Sequence, residues 1–224
     1  MTAIATYVSE YSRSFRRAPA RSQTVSTKRL PAKERKKQIL RSAIRVFARS
    51  TYHGATTKSI SEEAGVTEAL IYRYFGSKRA LFTEAVQLTS DRLVNGLEEA
   101  LDSHRDNPVK AITECFKYYV HLLEKHEDFA KMIFLVLSEL DQEDIRETYL
   151  PYQERALKAI ASAIDHWKDR GFVPNFVDTK TAAWLFFGTY LILALVKQTT
   201  GGIPMDTSYA IQLARAFVSG RDKD

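Results

Sequence analysis

An all-α fold of about nine helices is what this 224-residue chain predicts, with an N-terminal three-helix unit joined by a long helix to a larger helical body. Three observations carry that expectation. Apolar residues recur at three- and four-residue spacing from Pro31 almost to the C-terminus. No stretch alternates strictly between apolar and polar, as a half-buried strand would. Capping residues and glycines fall at helix-length intervals. At 45% apolar content the chain can also bury a substantial core.

Residues 1–30 are rich in Ser, Thr, Ala and Arg with little periodicity, and read as a flexible basic tail. Pro31 suits a first helical position, after which Ile39, Leu40, Ala43, Ile44 and Phe47 mark the buried side of a helix to about Ser50. Two short helices follow, about Thr57–Ala64 and Thr67–Tyr74, then a long one from Ser77 to about His104. Asn107-Pro108 is a cap followed by a first-turn proline. An apolar helix over Phe129–Leu140 precedes a longer one over Gln142–Arg170, expected to be disturbed near Pro151 and stopped by Gly171. Asp178 caps a helix ended by Gly201-Gly202, and Asp206 caps the last. The domain division expected is a tail over 1–30, a helix-turn-helix unit over 31–82 and a body over 83–220.

Charge separates along the same boundaries. Residues 31–82 hold eleven bases and four acids, whereas 83–224 hold sixteen bases and twenty-two acids. A basic N-terminal third on an acidic body is the asymmetry of a molecule whose one end approaches a polyanion. The single cysteine, Cys115, excludes a disulfide framework, fits a reducing cytoplasm and sits at a core position. Ala182–Val196 is the longest apolar run, but Gly188, Thr189 and Tyr190 break it, so it reads as a buried helix rather than a membrane span.

The informative stretch is Thr56 to Leu81. Gly65 stands where a tight interhelical turn wants positive φ, Ala64 lets the helices cross closely, and Thr67 is placed to cap the second helix. Val66 before that cap and Ile71 have the spacing of a hydrophobic staple. Ile71 and Phe75 point to the core, which leaves Glu68, Ala69, Tyr72 and Arg73 on the exposed side. Against double-stranded DNA a tyrosine hydroxyl binds phosphate, an arginine reads guanine or holds the backbone, and alanine leaves room for a thymine methyl. Glu68 has three readings: an acceptor for a cytosine amino group, a residue set against wrong sequences, or a helix N-terminal acid favoured by the dipole.

Gly54, Thr56-Thr57, Ile60, Ala64-Gly65-Val66, Ile71-Tyr72-Arg73-Tyr74-Phe75 and Ser77-Lys78 together resemble the signature of the tetracycline-repressor (TetR) family, over roughly residues 35–85. The resemblance implies a homodimeric DNA-binding regulator, with Thr57 and Lys58 opening the first short helix against the DNA backbone. It places Thr67, Ala69, Tyr72 and Tyr74 at recognition positions and Lys78 on a phosphate. Ser61 and Leu70 depart from the usual pattern, and base reading is expected from Lys58, Glu68, Ala69, Leu70 and Arg73.

For the body the resemblance implies a cavity for a small-molecule effector, with Phe116, Tyr119, Phe134, Trp184 and Phe187 as expected lining. The last two helices are expected to form the dimer through Leu185, Leu193, Ile211, Leu213 and Phe217, with Ala182, Ala183, Gly188 and Ala194 allowing close approach. An inverted-repeat operator and a repressor released by an apolar or aromatic ligand follow from the family; an activator of the same fold and a non-specific architectural DNA binder are the alternatives. Catalysis is not expected. The five histidines are scattered, His121 and His126 lie five apart and off one helical face, and neither a phosphate loop nor a nucleophile elbow is present. No metal and no cofactor is expected.

Overall fold

The computed structural model describes residues 30–203 and 207–218. The basic tail and the Asp206 cap lie outside the described residues, as do the side chains of Leu213 and Phe217. Among the described residues there are nine helices and no strand: α1 (Ala32–Arg49), α2 (Thr57–Ala64), α3 (Glu68–Phe75), α4 (Lys78–Ser103), α5 (Pro108–Lys125), α6 (Glu127–Ser138), α7 (Glu143–Asp169), α8 (Thr179–Thr200) and α9 (Thr207–Phe217).

Local chemistry explains most boundaries. Ser77 caps α4 by accepting from the Ala80 N–H at 3.0 Å, Asn107 caps α5 from Lys110 at 3.0 Å, and Asp178 caps α8 from Thr181 at 2.7 Å. Gly171 and Gly201, each at φ 74°, end α7 and α8 in the left-handed conformation. Pro151 does not interrupt α7, contrary to expectation: the helix continues through it. Eight helical residues precede this proline, so one missing amide bond is carried by those on either side and by packing against α4.

Three cores result. One is built from α1 to α4 around Ile39, Phe47, Ile60, Ile71 and Phe82, and it continues into the body through Met132, Val136 and Ile145. The other two lie within the body, one around Ile112, Ile160 and Trp167 and one around Tyr119, Leu123 and Leu193, where α4 packs along α5 and α7, α8 along α7, and α9 along α5. Gly96 lets α5 approach α4, because a Cβ there would come within 2.1 Å of the Tyr118 ring. That ring crosses Gly96 so that its hydroxyl can donate to the Arg92 carbonyl at 2.9 Å.

The helix expected to be buried, α8, is not. Ala182, Ala183, Phe186, Leu193 and Ala194 face the protomer's own core, but Trp184, Leu185, Ile192 and Leu195 are exposed. By length and composition α8 is apolar enough to cross a membrane, with only 28% of its most apolar window buried. Leu193 therefore leaves the expected dimer set, and the small residues Ala182, Ala183 and Ala194 serve packing against the body.

A pH dependence follows from the α5–α6 corner. Burial first, then the positive charges of Arg92 and His121, pull the His126 imidazole down to about 4 from an ordinary 6.5. A depressed histidine pKa means the unfolded chain takes up the proton first as pH falls. Its contribution to stability is complete above about pH 6.5 and is lost as the pH falls toward 4. Melting temperatures at pH 7.5 and pH 5.0 should therefore diverge less in His126→Gln than in the wild type; equal divergence would remove His126 as the cause.

Candidate nucleic-acid interface and cavity

The α2–α3 pair is held rigidly from both ends. Thr56 and Ser59 form a reciprocal capping box at the start of α2: the Thr56 hydroxyl oxygen accepts from the Ser59 N–H at 3.0 Å and the Ser59 oxygen from the Thr56 N–H at 3.1 Å. At the other end Gly65 adopts φ 63°, as its position in the turn demands. Its N–H reaches the Glu62 carbonyl at 3.2 Å and that of Val66 reaches Ser61 at 3.0 Å, the pattern of a Schellman ending. Ser61, buried, returns its hydroxyl to the Lys58 carbonyl at 2.8 Å. Helix α1 grips this ending through Gln38, which donates to the Ala64 carbonyl at 2.8 Å, and through Arg45 on Glu63 at 2.7 Å.

With that frame in place, the outward face of α2 and α3 carries Lys58, Thr67, Ala69, Tyr72 and Arg73, all exposed. Tyr72 is 49% exposed, so about half of a large aromatic side chain is left in water. Thr67 has the backbone geometry of a cap but its hydroxyl makes no capping bond, so the expected cap is absent and the hydroxyl is open to solvent. Thr57 donates to a Glu68 carboxylate oxygen at 2.6 Å and lies 3.4 Å from the Tyr72 hydroxyl. Glu68 is thus a strut between α2 and α3 that sets the position of Thr57 and Tyr72.

Three expected contacts turn inward instead. Leu70 is half-buried against the core that holds Ile71 and Phe75, which takes it off the exposed face of α3. Tyr74 is likewise half-buried, packed on that core and beside the Phe75 ring at 6.5 Å. Lys78 donates to the carbonyls of Tyr52 and Ala55, both at 3.0 Å, and lies over the Tyr52 ring at 4.5 Å. It clamps the loop that precedes α2, and at most one of its three N–H groups is left for a phosphate.

Next to Lys78, Arg79 makes a fork-shaped pair with Asp144 at the start of α7, Nε to Oδ2 at 2.6 Å, with Glu139 beside it at 3.9 Å. Hydrogen bonding to Asp144 raises the Arg79 pKa, and Arg79 in turn lowers that of Asp144. No sequence signal pointed to this pair, because its partners lie 65 residues apart.

Between α4, α5, α6, α7 and α8 the body encloses about 690 Å³ of empty space, its mouth included. Leu93, Val94 and Leu97 of α4, Tyr119 of α5, Val136 of α6, Tyr149 and Tyr152 of α7, and Phe187 and Tyr190 of α8 are in its wall. Tyr119 and Phe187 are there as expected. Phe116, Phe134 and Trp184 are not: Phe116 lines a smaller neighbouring cleft and contacts Tyr209, Phe134 is half-buried against the core around Tyr119, and Trp184 is 45% exposed on the outer face of α8. Helical periodicity marks these aromatics as inward or outward without saying which neighbour they meet. Among the described residues the wall holds no charged side chain. Tyr119 is 1% exposed and its hydroxyl has no hydrogen-bond partner. Cys115, behind Tyr190, is fully buried and its thiol is pushed up to about 12 by that burial, so it stays protonated and inert.

Comparison with known proteins supplies a family. Residues 39–85 match the model of the bacterial regulatory proteins of the tetR family. The transcriptional activator FasR of Mycolicibacterium smegmatis is 38% identical over 90 residues, which are 39% of this chain and 41% of FasR. The fatty acid metabolism regulator protein of Bacillus subtilis is 22% identical over 159 residues, 68% of this chain and 77% of that protein. The matched stretch spans about two-fifths of FasR and of two further Bacillus subtilis regulators. Among solved structures, the regulator FadR from Bacillus subtilis, in complex with stearoyl-CoA, superposes with a TM-score of 0.65 at 21% identity, covering 83% of this chain and 98% of that one. PfmR, a TetR-family regulator from Thermus thermophilus, gives 0.67 at 19% identity over 83% and 99%. These relatives and this fold are those of transcriptional regulators, not of enzymes.

Proposed function

We propose that this chain, which belongs to the tetR family of bacterial regulatory proteins, is a dimeric repressor in the cytoplasm that binds an inverted-repeat operator and leaves it when a small apolar effector fills the body cavity. The observation that carries the proposal is the exposed set Lys58, Thr67, Ala69, Tyr72 and Arg73 on a helix pair fixed by a capping box, a left-handed glycine and a buried staple. A major-groove helix needs such fixity, since its exit angle decides which base edges it meets. An activator remains the second reading, because FasR, named an activator, shares 90 aligned residues with this chain.

Dimerisation is supported by the outer face of α8. Trp184, Leu185, Gly188, Ile192 and Leu195 fall on one side of that helix, while its other side is anchored in the protomer. Gly188 has no atom near the position its Cβ would take, so a second helix can approach there closely. A second copy of the chain covers such a stripe by two-fold symmetry, and Ile211, half-buried on α9, can lie at its rim.

Release is supported by residues with two neighbours. Val136 and Tyr149 belong both to the cavity wall and to the core that holds α1 to α4. A ligand that displaces them moves the floor under the reading head, with Arg79 on Asp144 tying the first turn of α4 to the start of α7. Spacing between the two recognition helices then no longer fits successive grooves, a population shift of the kind that needs only differential affinity for two states. The relatives concerned with fatty acid metabolism favour an effector with an alkyl chain.

The experiment is a pair of charge insertions, Leu185→Glu with Ile192→Glu, on the outer face of α8. Light scattering should shift from dimer to monomer, and operator affinity should fall at least about 100-fold, because half of the bidentate attachment is lost. A wild-type chain already monomeric at micromolar concentration would contradict the dimer.

A further inference from the structure

Among the described residues no charged side chain lines the body cavity, yet the wall is not purely apolar. We infer that the cavity takes an alkyl chain bearing an uncharged acceptor, an ester, thioester or carbonyl oxygen, that this acceptor is bound by the Tyr119 hydroxyl, and that the ionised free acid of the same chain is excluded. The inference rests on the proposal that the cavity is the effector site.

The polar groups available decide the head group. Thr89 spends its hydroxyl proton on the Ala85 carbonyl at 2.7 Å, leaving the phenols of Tyr119, Tyr149, Tyr152 and Tyr190 as donors in the wall together with the Ser90 hydroxyl and the Gln153 amide. Burial raises the pKa of all four phenols, so each stays a neutral O–H donor. Two of these oxygens, those of Tyr119 and Tyr190, are buried with no hydrogen-bond partner; that of Tyr190 faces the buried Cys115 thiol, which leaves Tyr119 as the donor for a ligand, and an unpaired buried hydroxyl is a standing cost that a ligand acceptor removes. A carboxylate entering the same place meets no Lys, Arg or His in the wall. It would be a buried charge without a counter-ion, which ordinarily neutralises itself by taking a proton instead. Arg92, the buried cation closest in sequence to the wall residues Ser90 and Leu93, is not in the wall.

The alkyl part is fixed by the rest of the lining. Leu93, Val94, Leu97, Ile133 and Leu191 offer surface to methylene groups and nothing to hydrogen-bond. A chain with one terminal acceptor therefore satisfies both the apolar wall and the orphaned Tyr119 hydroxyl.

Three probes of equal chain length test this by calorimetric titration at pH 7.5: methyl dodecanoate, dodecanoate and dodecane, on the wild type and on Tyr119→Phe. The ester should bind the wild type at least about 100-fold more tightly than the acid. Tyr119→Phe should weaken the ester by roughly 5- to 10-fold, the worth of one neutral hydrogen bond, while dodecane binds both proteins alike and so reports an intact cavity. Lowering the pH from 8.0 to 7.0 should tighten the acid about tenfold, because it enters only when protonated, and leave the ester unchanged. Acid bound as tightly as ester, or ester indifferent to Tyr119→Phe, would overturn the inference and leave the cavity as the effector site. Failure of all three probes to bind would overturn both.

Discussion

Replacing Gly96 with alanine is expected to lower the melting temperature by roughly 4–8 °C, although helix propensity alone argues the opposite. In the middle of α4 an alanine gains about 1 kcal/mol over glycine. Its Cβ, however, would lie 2.1 Å from two atoms of the Tyr118 ring and 2.7 Å from a third. That ring is 8% exposed and tied at its far end to the Arg92 carbonyl, so it cannot swing aside without losing both its packing and its hydrogen bond. Overpacking of this kind costs about 3 kcal/mol, leaving a net loss of about 2 kcal/mol, which for a chain of this size is the stated shift in melting temperature. Removing the ring should reverse the sign. In a Tyr118→Leu background, Gly96→Ala should stabilise by about 1 kcal/mol, the propensity gain alone. A Gly96→Ala that stabilises the wild-type background would show that α4 and α5 are not in close contact there.

The second large effect is on DNA. Tyr72→Ala with Arg73→Ala should abolish measurable operator binding while leaving the melting temperature within about 2 °C, since both side chains are exposed and neither belongs to the core. A phosphate or base contact is worth roughly 1–3 kcal/mol per site, and a dimer places each substitution at both half-sites. Each residue alone should therefore cost about 2–6 kcal/mol, roughly 30-fold to 25,000-fold, and the two together more. Leu70→Ala is the contrast: it removes a side chain packed against the reading head's core, so it should lower stability and leave the preferred sequence unchanged. Operator affinity that survives the double substitution would place the reading face elsewhere.

Much of the fold was legible because helix ends are written locally. Asn107, Asp178 and Ser77 announce their helices within three residues, and Gly65, Gly171 and Gly201 end theirs by a backbone conformation that glycine adopts without steric cost. The turn between α2 and α3 was legible for the same reason. What periodicity could not provide was the identity of the neighbour across a gap in sequence. Leu70 and Lys78 lie beside exposed recognition positions, yet one packs on the core and the other reaches back 26 residues to Tyr52. Phe116, Phe134 and Trp184 have the composition of a cavity wall, but long-range packing gives that wall to Val136, Tyr149, Tyr152 and Tyr190. The exposure of α8 was hidden too, because a helix with one exposed apolar stripe has the same apolar content as a core helix. Gly96 carried no local signal at all: its necessity lies in Tyr118, on another helix.

The most direct test is recovery of bound sequences from a random double-stranded DNA pool with the purified full chain, followed by competition against excess random DNA. An enriched inverted repeat is expected, with half-sites about one helical turn apart or somewhat more, and binding that persists under competition. No enriched sequence, or an enriched single site without a repeat, would contradict a symmetric dimer reading DNA through the α2–α3 face.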